Sequence, residues 1–126
     1  MVPAAIAHLV VMRKLRLAAD FPDHVLWPEE GGPVPPEDLG VSADLCRALH
    51  EWYRLWSTIE NDNAHKRDET ARIDWGLFDT KGIELWKRLR IELSGRYEIV
   101  YYSERLNDNF GEPSELEALL RNEANA

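Results

Sequence analysis

The sequence predicts an α+β fold: a small β-sheet covered on one face by two amphipathic helices, with a short C-terminal helix. Three observations predict it. Leu15, Leu17 and Ala19 alternate with Lys14, Arg16 and Ala18, which is the period of a half-buried strand. Two long central stretches carry apolar residues at helical spacing, and Tyr97 to Tyr102 (YEIVYY) returns to strand alternation. A chain of 126 residues, 44% of them hydrophobic, makes one domain that buries roughly two-thirds of its unfolded surface, so no disulfide or metal is needed to hold it.

The elements follow in order. Residues 1–11 read as a dispensable N-terminal extension before a domain spanning 12–126, with Met12 as an ordinary start; the alternative is that they lengthen the first strand. Ala4 to Val11 is far short of the ~20 apolar residues that span a bilayer. After the first strand, Asp20 to Gly40 contains five prolines and the pair Gly31-Gly32, and reads as a long ordered loop. Within it Val25-Leu26-Trp27 is either a brief edge strand or an apolar plug.

Ser42 is a suitable N-cap for a helix over about 43–60, whose stripe is Leu45, Leu49, Trp52, Trp56 and Ile59. His65 to Thr70 reads as exposed loop. A second helix is expected to begin between Asp74 and Asp79 and to end at Ser94-Gly95, with Gly95 as a left-handed cap. Its stripe is Phe78, Gly82, Leu85, Leu89 and Leu93, with Trp86 widening it. Glycine costs roughly 1 kcal/mol in a helix, so Gly82 predicts close approach of another element. Ser114 and Glu117 have the spacing of a capping box for the last helix.

The chemistry of the chain is dominated by charge. There are 23 Asp and Glu against 15 Lys and Arg, a net charge of −8. That weighs against nonspecific nucleic-acid binding, which needs cations facing phosphates, and the composition is not that of a membrane protein. No phosphate-loop, dinucleotide, nucleophile-elbow or zinc-protease motif occurs, and no cofactor or metal is expected. The one cysteine, Cys46, fits a reducing cytoplasm and reads as core.

Between Leu17 and Cys46 stand Asp20, Asp23, Glu29, Glu30, Glu37, Asp38 and Asp44, with no Lys or Arg among them. Such a one-signed segment creates a field that speeds association with an oppositely charged partner. Trp27 lies inside it, placed as an interface anchor or as a plug. These eight residues form the expected partner-binding set. The first reading is a non-enzymatic bacterial binding protein of the immunity or antitoxin type, cytoplasmic, using the acidic segment against a basic protein. The alternatives are a small enzyme or ligand-binding domain with a pocket near Asp20, Asp23, His24 and Trp27, and a module that self-associates into a homodimer.

Three blocks recur in a recognisable order: R-L-x-A-D-F-P-x-x-x-L-W from Arg16, E-D-L-G-V-S from Glu37, and G-x-x-L-W-x-x-L-x-x-E-L from Gly82, leading into Y-E-I-V-Y-Y. Over about residues 13–104 the chain resembles a group of short, acidic bacterial proteins that share these blocks. The resemblance carries no activity, so no catalytic residue transfers from it. It supports Met12 as the start.

Overall fold

The computed structural model describes residues 12–63 and 69–124. Strand β1 (Arg13–Asp20) pairs antiparallel with β2 (His24–Pro28) and parallel with β3 (Tyr97–Ser103), and β3 pairs antiparallel with β4 (Asp108–Phe110). The sheet order is β2-β1-β3-β4. Helices α1 (Ala43–Asn63) and α2 (Glu69–Glu92) join β2 to β3, and α3 (Pro113–Ala124) closes the fold.

One face of the sheet is dry. Leu15 and Leu17 of β1 stand in register with Ile99 and Tyr101 of β3, and Leu26 of β2 opposes Leu17. All five are buried, against Leu45, Leu49 and Trp52 of α1 and Phe78, Trp86 and Leu89 of α2. The two wholly internal indoles find backbone acceptors, as buried indoles must. Trp86 Nε1–H donates to the Ile99 carbonyl at 2.8 Å, and Trp52 Nε1–H to that of Phe78 at 3.2 Å. Trp56 is only half-buried, while Ile59 at the end of the predicted stripe is buried.

Several expectations are corrected. In the proline-rich segment, expected as loop with Val25-Leu26-Trp27 either an edge strand or a plug, those three residues take the edge strand β2, whose Leu26 carbonyl accepts the Val34 N–H at 3.0 Å. Pro36–Leu39 forms a 3₁₀ turn, its left-handed end at Gly40. Helix α2 begins at Glu69, well before Asp74, because Ala71 is drawn into the interior. Of the expected loop His65 to Thr70, residues 65–68 lie outside the described residues and Glu69 and Thr70 are helical; residues 1–11 of the expected extension also lie outside the described residues. Strand β4 carries no strand signal of its own and exists by pairing with β3.

The helix ends show how distant residues take over local roles. Ser42 Oγ accepts the Leu45 N–H at 3.3 Å, as an N-cap should. The Glu92 carboxylate, at the far end of α2, in turn accepts both the Ser42 N–H and its hydroxyl at 2.7 Å. These bonds hold the Glu92 carboxyl below the ordinary carboxylate range. The predicted capping box at α3 does not form. Pro113 opens the helix instead, and Glu117 is engaged by Lys87 Nζ at 2.9 Å. Gly95 does take the left-handed conformation, φ 80°, after α2.

Candidate partner-binding surface

The sheet distributes the acidic segment rather than gathering it. Asp20 ends β1, its carboxylate accepting the Phe21 N–H at 2.8 Å. Asp23 follows in the hairpin turn with φ 72°, and its carboxylate meets His50 Nδ1 of α1 at 3.0 Å. Glu29 and Glu30 emerge at the opposite end of β2, six and seven residues from Asp23, and are exposed. At ~3.3 Å per residue the two groups stand roughly 20 Å apart. Glu37 and Asp38 are exposed in the 3₁₀ turn that leads to α1.

Asp44 departs most from a free surface charge. Arg88 of α2 donates to it at 2.7 Å and Arg47 at 3.4 Å, and the bond from Arg88 holds its carboxyl below the usual range. It is exposed yet already neutralised. Among the described residues Glu29, Glu30, Glu37 and Asp38 enter no ion pair.

Trp27 is held in place and still half-exposed. Its Nε1–H donates to the Ala18 carbonyl at 2.7 Å, and its ring meets His24 edge-on at 5.6 Å. The indole thus shelters Ala18, expected on the wet face and in fact buried. This is the pinned geometry of a plug, with one side of the ring left open.

A cleft of about 250 Å³ lies between the proline-rich segment and α1. Asp23, His24, Glu37, Cys46 and His50 line it, whereas Asp20 and Trp27 do not. The pocket expected around those four residues therefore takes two of them. Burial pushes the Cys46 thiol up, and Glu37 and Glu92 add to it, so the sulfur is not an activated nucleophile. Its S–H points to the Val41 carbonyl at 3.4 Å. Among the described residues no group of three or more His, Cys, Asp or Glu is arranged to hold a metal.

Sequence reasoning missed a buried carboxylate. Asp79 of α2 is wholly enclosed and accepts four hydrogen bonds: Tyr101 Oη at 2.7 Å, Ser103 Oγ at 2.6 Å, Glu104 N at 3.2 Å and Arg105 N at 3.0 Å. Burial raises its carboxyl and those donors oppose the rise. It organises the turn after β3. Beside it Glu104, whose Oε2 accepts the Trp56 Nε1–H at 3.3 Å, is pushed up to about 7, first by burial and then by the charge of Asp79. The available signal was the position of Asp79, next to Phe78 and three residues before Gly82, on the buried side of α2.

Residues 13–104 match the family model described as Serratia CdiI immunity protein-like. The chain belongs to this family. The matched span runs from the start of β1 to the residue after β3, so it contains the acidic segment, Trp27 and Asp79. No curated protein and no solved structure matches the chain. Membership makes this an immunity-type protein, whose partner is a toxin, itself a protein. No helix among the described residues is long and apolar enough to cross a membrane.

Proposed function

We propose that this immunity-type protein neutralises its toxin by binding it through the acidic segment 20–44, against a basic surface of the toxin. The observation that carries the reading is the run of seven carboxylates unbroken by Lys or Arg, four of which (Glu29, Glu30, Glu37 and Asp38) are exposed and outside any ion pair among the described residues. Asp20 and Asp23 add to the field while tied locally, whereas Asp44 is neutralised by Arg88. Long-range attraction of this kind raises the association rate and is screened within about 10 Å at 0.1 M salt. A basic toxin surface is also what a nucleic-acid-binding cleft presents, and covering it with carboxylates would block it.

A toxin gene lying next to this one is the candidate partner to test. Co-expression should restore growth to cells making that toxin. A chain with Glu29, Glu30, Glu37 and Asp38 all changed to Lys should associate far more slowly, with the largest difference at low salt. Equal association by the two chains at every ionic strength overturns the acidic-segment reading.

A further inference from the structure

We infer that the face of the sheet left uncovered among the described residues, centred on Arg16, Trp27 and Tyr102, is the toxin's docking face, and that the toxin meets it with an apolar centre bordered by Lys and Arg. The inference rests on the toxin-binding reading and adds which side of the molecule does the binding.

The register defines this face. Arg16 stands between Trp27 of β2 and Val100 of β3, and one step along Tyr102 pairs with Asn109 of β4. The residues that alternate with them, Leu15, Leu17, Leu26, Ile99 and Tyr101, face the core with the helices. Arg16 is exposed, Trp27 on the edge strand β2 is half-exposed, and Val100 and Tyr102 are half-exposed although β3 is an inner strand of the four-stranded sheet. An antiparallel or mixed sheet with a purely solvated face carries polar residues there, whereas Trp, Tyr and Arg are the types that dominate binding hot spots.

The two rings are also fixed before any partner arrives. Trp27 is tied to the Ala18 carbonyl and Tyr102 donates its hydroxyl to Asn107 Oδ1. Side chains already ordered lose little entropy on binding, so their contact area converts more fully into affinity.

The charge pattern names the occupant. Glu29 and Glu30 follow β2 at the end of the face where Lys14 stands in register with Glu98. Asp20 ends β1 and Asp108 begins β4 at the Tyr102 end. Carboxylates thus lie at both ends of an aromatic centre, which complements a partner whose apolar contact is bordered by cations. Glu37, Asp38 and Asp44 fall outside it: Glu37 lines the cleft against α1, and Asp44 is held by Arg88. Long-range steering falls to Glu37 and Asp38.

The test uses the full chain and, as probe, the purified toxin encoded by the adjacent gene, with both rate constants measured. Arg16→Ala and Val100→Asp should each raise the dissociation rate about tenfold or more, because contact residues act on dissociation. Glu37→Lys combined with Asp38→Lys should lower the association rate and leave dissociation unchanged. Arg16 is exposed, so its variant decides the matter even if Val100→Asp does not fold. Dissociation unaltered by Arg16→Ala and by any folded Val100→Asp overturns the docking face while the toxin-binding reading stands. Failure of the wild-type chain to bind the probe overturns that reading and the docking face together.

Discussion

Gly82 of α2 lies directly against Tyr101 of β3: a Cβ on Gly82 would fall 2.7 Å from both Cε1 and Cζ of the ring. The ring has no room to yield. It stacks on Trp86 with centroids 5.4 Å apart, and its hydroxyl is bound to Asp79. Helix propensity alone would make Gly82→Ala stabilising by about 1 kcal/mol. Overpacking typically costs about 1–3 kcal/mol, and here it also displaces a buried hydrogen bond. Gly82→Ala is therefore expected to lower stability, read as a reduced urea midpoint.

Asp79→Ala should be more damaging. It leaves the Tyr101 and Ser103 hydroxyls and the Glu104 and Arg105 amides without their acceptor. Each unsatisfied buried group costs about 1–3 kcal/mol, so a loss of at least ~3 kcal/mol is expected in chemical denaturation. Ser103→Ala removes one donor to Asp79 and the acceptor of the Leu106 N–H, leaves the other three donors to Asp79 in place, and should cost less.

Glu104 makes stability depend on pH in a stated direction. Its carboxyl is raised from 4.5 to about 7 in the folded chain, so between those values the folded state holds more protons than the unfolded one. Stability contributed by this group must then fall as pH rises from about 4.5 through 7. The effect is on the order of 2–3 kcal/mol at most, since the side chain is not fully enclosed. The raised carboxyl of Asp79 acts in the same direction. Glu104→Gln keeps an acceptor for Trp56 and should flatten the decline between pH 5 and pH 8, measured by urea unfolding at each pH.

Trp27 and the acidic residues should separate in a stability assay. Trp27→Ala uncovers Ala18 and frees its carbonyl, so the thermal midpoint should drop clearly. Changing Glu29, Glu30, Glu37 and Asp38 to Lys alters exposed groups without ion pairs among the described residues. Its thermal midpoint should stay close to that of the wild-type chain. A large drop would mean that these carboxylates hold the loop in place.

Much of this protein was legible in its sequence because it is written in near neighbours. The alternation Leu15, Leu17, Ala19 and the run Tyr97 to Tyr102 set β1 and β3, and the spacing from Leu45 to Ile59 set α1. The single glycine in the α2 stripe announced the close approach that Tyr101 makes. The acidic run is equally a property of the chain itself. What only the tertiary structure decided involves partners far apart in sequence. Arg88 neutralises Asp44 across 44 residues, Lys87 draws Glu117 away from its capping box, and Glu92 completes the start of α1 from the end of α2. Likewise β4 and the first turns of α2 have no pattern of their own and form because β3 and the core bind them. Periodicity encodes which face of an element is dry, since that depends on residues two to four positions away. Which charge meets which depends on packing that no local pattern contains.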